Sequence, residues 1–316
     1  MIVDDALLRG STILEQMSIR GVRVAAITAK DKLRAIINHG LHSSRGAISF
    51  SAQHADKCTL EVNGISGVKE WLGRPVPTQY SADLSLFVLN AGIKLLKEDR
   101  ADLLYLTLSD YVQHKHAPGS EEADSFMAAI DKCVGQLVEL GATVAITGDH
   151  GMSDKSKEDG TPNVLFLEEE LNRKFGKGVS RVICPITDPF VRHHGALGSF
   201  VRVYLNETNT TSTAEVLEVC RSFPQVEMAM DRKAAAERFE TPLDREGDVV
   251  VIAHQNAVLG SRKEEHDLAS LGDHRLRSHG GLSEQQIPLL RSRPVDGQVP
   301  AREWRNYDAF DLALNW

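Results

Sequence analysis

The chain has 316 residues, of which 42% are hydrophobic and 25% are charged, and its formal net charge is -8. This length accommodates one large domain with a buried core, or a core with a smaller cap, and the composition is ordinary for a globular protein. The acidic balance argues against nucleic acid or an anionic membrane as the main partner. An anionic substrate would therefore need a local positive feature such as a metal ion.

The cysteines and the start of the chain favour a cytoplasmic protein. Cys58, Cys133, Cys184 and Cys220 form no CxxC pair, so neither a zinc ribbon nor a disulfide framework is predicted, and thiols in a reducing compartment are expected. Residues 1–6 lack a basic, apolar leader, and no stretch approaches the ~20 apolar residues of a membrane span. We expect no membrane partner, and a homodimer is among the assemblies that the sequence allows.

The first half of the chain shows strands that alternate with helices, which is typical of an α/β protein. Ser, Thr and Gly mark the ends of helices, and short apolar runs indicate strands. These patterns predict helices at 12–21, 30–39, 83–98 and 120–141 and strands at 22–27, 102–108 and 143–147. Residues 41–80 are rich in Ser, Gly and Pro, and they predict irregular structure with short helical turns.

From about residue 156 to residue 275 the elements become shorter and more charged, with scattered prolines. The patterns predict strands at 201–205 and 249–253 and helices at 214–221 and 231–239. We interpret this region as a cap or insertion with some core strands. The predicted organisation is a core at 1–155, a cap at 156–275 and a return to the core at 276–316.

Three short segments each place Asp or His directly after an apolar strand. They span residues 110–114, 148–151 and 277–281. In open α/β sheets, ligands bind beyond the carboxyl ends of the strands, so such loops can converge at one edge. Imidazole nitrogen and carboxylate oxygen are the usual ligands of catalytic zinc. The sequence therefore predicts a metal site built from these segments.

The candidate ligands are Asp110, His114, Asp149, His150 and His279. Asp110 and His114 are four positions apart, so one helical turn would place them on the same side. The set is too large for one tetrahedral zinc that keeps an open position, and it indicates two metal ions that could clamp the oxygens of a phosphoryl transfer. Each segment alone has an ordinary structural explanation, because the chain has 12 histidines and because Asp and Gly favour turns.

These segments, and others spread over nearly the whole chain, have distinctive amino-acid sequences. The relevant stretches are LTLSDYVQHKHAPGSEEAD, TGDHGM, LRSHGGLSEQQIPLL, ITAKDKLR, ITDPFVRHHGALGSFVRVYL and EEHDLASLGDHRLRSHGG. They resemble the phosphonoacetate hydrolase family of the alkaline phosphatase superfamily. The resemblance implies an α/β fold with an alkaline phosphatase-like central sheet, flanking helices and a smaller inserted cap. It also implies zinc-dependent hydrolysis of the carbon–phosphorus bond of phosphonoacetate to acetate and phosphate.

The resemblance also implies roles for the candidate ligands. Asp110, His114 and His279 match one zinc site of the family, and Asp149 and His150 match two ligands of the other. In the family, a threonine nucleophile lies between the two metals, where coordination would lower its pKa.

Two lysines in the segment ITAKDKLR match the region with which the family holds the substrate's carboxylate. They are Lys30 and Lys32, and a compact ammonium is a good point-charge partner for a carboxylate. Lysines at the start of a helix are equally often only solvated. The expected partner is a small anionic phosphonate. His193 and His194 are interpreted as structural, because nothing in their spacing indicates a ligand role.

The resemblance begins past the first strand of the family. An earlier family segment supplies a metal-binding Asp and the threonine nucleophile, and neither maps onto Asp4, Asp5 or Thr12, because no apolar strand precedes these residues. The sequence as written therefore predicts one well-formed zinc site, no catalytic nucleophile and little hydrolysis. The alternatives are a non-catalytic remnant that keeps one metal site, and a phosphodiesterase or nucleotide pyrophosphatase of the same superfamily.

Overall fold

The computed structural model describes residues 8–185, 196–206, 210–272, 274–295, 297 and 300–316. The chain divides into two compact units. Unit 1 comprises Met1–Ala145, Arg291–Arg302 and Phe310–Trp316, and unit 2 comprises Ile146–Leu290 and Glu303–Ala309. The predicted limits of a cap at residues 156 and 275 stay predictions.

Unit 1 combines a parallel sheet with helices. Its helices are α1 (Ile13–Ile19), α2 (Asp31–Ile37), α3 (Leu60–Asn63), α4 (Val68–Leu72), α5 (Ala82–Lys97), α6 (Tyr111–Lys115) and α7 (Glu121–Glu139), and its strands are β1 (Val24–Thr28), β2 (Ile48–Ser51) and β3 (Leu103–Thr107). The strand order is β2-β1-β3, and both pairs are parallel. The carboxyl ends of these strands therefore share one edge of the sheet.

Strand β1 is buried along its whole length because it lies between two neighbours and is covered on both faces. Its side chains alternate between two core clusters, as the two-residue period of a strand requires. Ile27 lies in the cluster that contains Phe87 of α5, whereas Val24 and Ala26 lie in the cluster that contains Leu14 of α1. The apolar run predicted from the sequence is thus the middle of the sheet.

Two of the predicted helix starts in unit 1, at Thr12 and Ser120, are confirmed by their capping bonds. The backbone N–H of Glu15 donates to Thr12 Oγ1 at 3.0 Å, and the N–H of Ala123 donates to Ser120 Oγ at 3.3 Å. Each bond satisfies one of the donors that a helix leaves unpaired at its first turn. Local sequence was sufficient here because a cap acts within three residues.

The prediction for residues 41–80 is correct for the short helical turns, which include α3 and α4, but it is wrong for Ile48–Ser51. These residues form β2, which pairs in parallel with β1 and is buried at every position. The segment alternates apolar and polar residues, but only over four positions, and it stands among residues that favour turns. Its strand conformation depends on the neighbour that satisfies its backbone groups.

Strand β4 (Ala145–Thr147) leads from unit 1 into unit 2. Unit 2 contains strands β5 (Ser153–Asp154), β6 (Val164–Phe166), β7 (Ser180–Ile183), β8 (Phe200–Leu205), β9 (Val226–Asp231), β10 (Val249–Ala253), β11 (Val258–Gly260) and β12 (Arg277–Ser278), with helices α8 (Leu167–Phe175), α9 (Thr213–Ser222) and α10 (Arg232–Phe239). Strand β13 (Leu289–Arg291) and helix α11 (Asp308–Leu314) each fall partly in both units.

The main sheet of unit 2 has the order β7-β8-β10-β9, and all its pairs are antiparallel. Strand β10 is buried at every position because both faces of the sheet are covered. Val249 and Val251 lie in a cluster with Val216 of α9, whereas Val250 and Ile252 lie in a second cluster that includes residues of α10. The predicted strands at 201–205 and 249–253 and the predicted helices at 214–221 and 231–239 are confirmed.

The expectation of free thiols is also confirmed. Cys58, Cys133, Cys184 and Cys220 are all free, and Cys133 and Cys220 are buried. Burial raises the pKa of the Cys220 thiol to about 12 and that of the Cys58 thiol to about 11. None of the described helices has both the length and the apolar character needed to cross a bilayer.

The core of unit 1 yields a stability prediction. Phe87 is fully buried, with 0% of its surface exposed, so Phe87→Ala should lower the free energy of unfolding by about 3–5 kcal/mol through lost burial and a residual cavity. Met127 on α7 is 48% exposed, and Met127→Ala should change the free energy by only about 0.5 kcal/mol. Urea unfolding of both variants checks this. Equal losses would show that burial in this cluster does not control stability.

Candidate functional site

Asp110 and His114 form the first part of the candidate site, in unit 1. Asp110 is the residue before α6, shortly after β3 ends, and His114 lies one turn into that helix. The Oδ2 atom of Asp110 is 3.0 Å from Nε2 of His114, whose side chain is almost completely buried. The predicted placement of the two residues on one side is confirmed. Together they present one carboxylate and one imidazole nitrogen, which are donor types that zinc prefers.

Lys30 lies beside this pair. It is the residue before α2, just past the carboxyl end of β1, and its Nζ is 3.9 Å from Asp110 Oδ1. The two residues are distant in sequence, but β1 and β3 are adjacent parallel strands that end at the same edge. The neighbouring Lys32 is exposed on the first turn of α2. Unit 1 therefore places positive and negative side chains together at one edge of its sheet.

A hydrogen-bond network around Asp31 holds the start of α2. The carboxylate of Asp31 accepts hydrogen bonds from Arg34 Nε at 2.7 Å and Ser51 Oγ at 2.9 Å, and the Asp31 backbone N–H donates to Gln53 Oε1 at 3.0 Å. Burial raises the pKa of Asp31, but the hydrogen bonds from Arg34 and Ser51 outweigh burial, so the pKa lies below its usual value. This network orients the helix turn that carries both candidate lysines.

In unit 2, the pairing of two very short strands brings two histidines together. Strand β5 follows His150, and His279 follows β12. The antiparallel register sets Ser278 opposite Ser153, so the chain beyond Ser278 runs back toward His150. The two imidazole rings stack with their centroids 3.4 Å apart and their planes at 6°. Residues that are distant in sequence thus form one cluster.

Hydrogen bonding selects the ligand atom of His150. Its Nδ1 is 2.9 Å from the carbonyl oxygen of Gly151, and because a carbonyl only accepts, Nδ1 carries the proton. The lone pair is therefore on Nε2, which is 3.7 Å from Asp149 Oδ1. A ligating histidine commonly donates its other ring nitrogen to a backbone carbonyl in this way. The donor set thus fits a divalent transition metal.

The backbone after His279 makes a sharp turn. The carbonyl of His279 accepts a hydrogen bond from the N–H of Ser199 at 2.8 Å, which ties the loop to the start of β8. Gly280 has a φ of 103°, which residues with a side chain rarely adopt. A Cβ atom on Gly281 would lie 3.0 Å from Oε2 of Glu284. The two glycines therefore permit a tight turn directly after His279.

A cavity of about 180 Å³ adjoins Asp149 and His150. Its wall includes the apolar side chains of Phe200, Phe239 and Ile252. Charges act more strongly beside such a wall than in water, because apolar side chains screen poorly.

The sequence-predicted residues fall into two groups. Within unit 1 the structure brings together Lys30, Asp110 and His114, and within unit 2 it brings together Asp149, His150 and His279. Lys32 is exposed on the first turn of α2, and this position alone relates it to the unit 1 group. His193 and His194, which were interpreted as structural, lie outside the described residues.

Sequence reasoning missed the buried ion pair of Lys155 and Glu284. Nζ of Lys155 donates to Glu284 Oε1 at 3.0 Å, and the two side chains are 0% and 1% exposed. Burial lowers the pKa of Lys155, and Glu284 opposes that shift. Burial raises the pKa of Glu284, but hydrogen bonds, including one from Ser153, and the charge of Lys155 bring it below its usual value. Both residues stand in polar segments that resemble exposed loops, so the sequence contains no signal for their burial.

The Asp31 network predicts a pH-dependent stability. Because the folded protein lowers the pKa of Asp31, its contribution is present above the unfolded pKa near 3.9 and is lost as pH falls through the folded value. At pH 7, Asp31→Asn should lower the free energy of unfolding by about 1–3 kcal/mol, and this difference should shrink in acid. Denaturation at several pH values measures it.

The matched control for that experiment is Asp56→Asn, which changes an exposed carboxylate of the same unit. It should leave stability nearly unchanged at each pH. A loss in Asp31→Asn that stays constant down to pH 2 would contradict the assignment of the ionised carboxylate as the stabilising group.

Comparison with known proteins connects this geometry to a family. The family model of type I phosphodiesterase / nucleotide pyrophosphatase matches residues 7–281 of this chain. The structure of phosphonoacetate hydrolase from Sinorhizobium meliloti 1021 in complex with phosphonoacetate is similar to this chain with 46% identity and a TM-score of 0.93. The match covers 99% of this chain and 75% of that one, and the complex of the same enzyme with phosphonoformate matches equally.

Two further relatives are similar over less sequence or at lower identity. Phosphonoacetate hydrolase from Penicillium oxalicum is 68% identical over 41 residues, which is 12% of this chain and 57% of that protein's length. Murine ectonucleotide pyrophosphatase / phosphodiesterase 5 shares 16% identity with a TM-score of 0.54, over 93% of this chain and 66% of that chain. The latter similarity shows a common α/β fold.

Proposed function

We propose that this chain, which belongs to the type I phosphodiesterase / nucleotide pyrophosphatase family, hydrolyses the carbon–phosphorus bond of phosphonoacetate to acetate and phosphate. The family is metal-dependent, and this member is phosphonoacetate hydrolase-like, with 46% identity over 99% of its length to the Sinorhizobium meliloti enzyme. The observation that carries the proposal is the stacked pair of His150 and His279, because two imidazoles so close together with an acidic neighbour form a typical metal-binding donor set.

We propose Asp110, His114, Asp149, His150 and His279 as the metal ligands and zinc as the metal. The donor types support this assignment, as do the facing atoms of Asp110 and His114 and the lone pair on Nε2 of His150. When bound, divalent ions would polarise the phosphonate oxygens and neutralise their charge. We assign no nucleophile among the described residues, so we expect turnover by this chain to be slow.

Lys30 and Lys32 are the proposed partners of the substrate's carboxylate. Lys30 is held near Asp110, whose Oδ1 faces the ammonium while Oδ2 faces His114. A carboxylate bound by Lys30 would therefore lie on the side of the Asp110 pair, with the phosphonate end of a short substrate close to it. A point charge suits this task because it attracts a carboxylate without demanding one orientation.

The setting of the reaction is part of the proposal. A cytoplasmic location is supported by the four free cysteines, which suit a reducing compartment. We propose a small anionic phosphonate as the partner, and a homodimer is the assembly to test by sedimentation.

A second candidate is hydrolysis of a phosphodiester or nucleotide pyrophosphate, which the family match favours. Phosphate release from phosphonoacetate and hydrolysis of a simple aryl phosphodiester by the zinc-loaded protein decide between the two. We expect kcat/KM to favour phosphonoacetate. We also expect Lys30→Ala to reduce kcat/KM for phosphonoacetate by about 10–100-fold, since a hydrogen bond to a charged group contributes about 1.5–3 kcal/mol.

The same variant should change the rate of aryl phosphodiester hydrolysis much less, because that substrate has no carboxylate for the lysine to bind. Lys57→Ala, at an exposed lysine of the same unit, is the matched control and should leave both rates unchanged. Preference for the diester would reject the proposed substrate. Zinc binding without turnover of either substrate would support a non-catalytic remnant.

His279→Ala tests the metal assignment. Outer-shell changes commonly weaken metal affinity by about 10–100-fold, so loss of a direct ligand should weaken zinc affinity by more than about 100-fold and abolish phosphate release. Competition with a chelator measures the affinity. His254→Ala removes an exposed imidazole of the same unit and should change neither quantity. Wild-type zinc affinity in His279→Ala would exclude this residue as a ligand.

A further inference from the structure

We propose that the buried ion pair of Lys155 and Glu284 is a positioning device that holds the loops carrying His150 and His279. The inference rests on the proposed function only in taking these two histidines as metal ligands. It concerns residues to which the proposed reaction gives no role.

Glu284 is hydrogen-bonded to both histidine loops. Its backbone carbonyl accepts a hydrogen bond at 2.7 Å from the N–H of Gly151, the residue after His150. Its side-chain Oε2 accepts another at 2.8 Å from the N–H of Gly281, two residues after His279. One residue therefore links two loops that are remote in sequence, and it does so through backbone groups whose positions set those of the imidazoles.

Lys155 holds the carboxylate in place. Its Nζ donates to Glu284 Oε1 at 3.0 Å and to the carbonyl of Gln255 at 2.7 Å, and Ser283 Oγ donates to the same Oε1 at 2.7 Å. The backbone N–H of Lys155 donates to the carbonyl of Leu276 at 2.7 Å, just before β12. The pair thus connects the end of β5, the start of β12 and the turn after His279.

The loops have little room to move around Glu284. A Cβ atom on Gly151 would lie 3.3 Å from both Cα and the carbonyl oxygen of Glu284, and a Cβ on Gly281 would lie 3.0 Å from Oε2. A side chain at either position would crowd Glu284, so the absence of a side chain in glycine allows each backbone to approach Glu284 closely. A shift of the Glu284 side chain or backbone would therefore be transmitted to both loops.

The cost of burying charge supports a positional role. Removing an ammonium and a carboxylate from water is costly, and a well-packed apolar pair is often at least as stabilising. Overall stability therefore does not require an ion pair at this place. The geometry gives it a role, because Glu284 is hydrogen-bonded to the backbone of both histidine loops. Groups that orient metal ligands typically change metal affinity by about 10–100-fold when removed.

The test compares Glu284→Gln with Glu246→Gln. Glu246 is also a buried carboxylate of unit 2, 2% exposed and paired with Arg202, but its hydrogen bonds are to Arg202, Thr241 and Gly247. The measurements are zinc affinity by chelator competition, the visible absorption spectrum of the cobalt-loaded protein, and thermal stability. The cobalt spectrum reports ligand geometry, which a general loss of stability would not alter.

For Glu284→Gln we expect zinc affinity about 10–100-fold weaker than wild type and a changed cobalt spectrum. Glu284→Asp keeps the charge on a shorter side chain, and its zinc affinity should lie between those of wild type and Glu284→Gln. Glu246→Gln should lose stability while its zinc affinity stays within about twofold of wild type and its spectrum is unchanged. Wild-type affinity and spectrum in Glu284→Gln would overturn the inference, as would equal weakening in Glu246→Gln.

A second variant covers the case in which Glu284→Gln does not fold. Lys155→Met combined with Glu284→Gln leaves no uncompensated buried charge of this pair, so it should fold. Its zinc affinity should still be weaker, because methionine cannot hold the amide in place, and unchanged affinity would overturn the inference. Failure of the proposed function is a separate result: wild-type protein would bind zinc without releasing phosphate from phosphonoacetate.

Discussion

The antiparallel register between β5 and β12 is the constraint on which the histidine cluster of unit 2 depends. It sets Ser278 opposite Ser153, and it thereby turns His279 toward His150. Each strand has two residues, so the ladder itself supplies few hydrogen bonds. The loops beyond it must therefore be held by other groups. The buried pair of Lys155 and Glu284 provides those contacts.

In unit 1, a parallel sheet brings the candidate site residues together. Adjacent parallel strands end at one edge, so Lys30 after β1 and Asp110 after β3 meet without any direct relation in sequence. The short helix α6 then brings His114 to Asp110. Here a regular sheet positions the residues, whereas in unit 2 a short ladder and side-chain hydrogen bonds do so.

Buried or half-buried carboxylates support the functional loops in both units. Asp31 ties the first turn of α2 to Ser51 at the end of β2, and Glu284 ties the two histidine loops together. In each case hydrogen bonds and a cationic neighbour keep the pKa low despite burial. An ionised acceptor makes shorter and stronger hydrogen bonds than a neutral one, which favours rigid placement of the backbone.

The sequence by itself determined the helices and the longer strands, because caps and apolar periodicity act over a few residues. It also predicted each candidate ligand singly, since an Asp or His follows a short strand in all three segments. Only the tertiary structure decided that Ile48–Ser51 is a strand, because its partner β1 lies elsewhere in the chain. The same holds for the stacking of His150 on His279 and for the burial of Lys155 with Glu284. Strand register and the burial of charge are long-range properties, which no local pattern encodes.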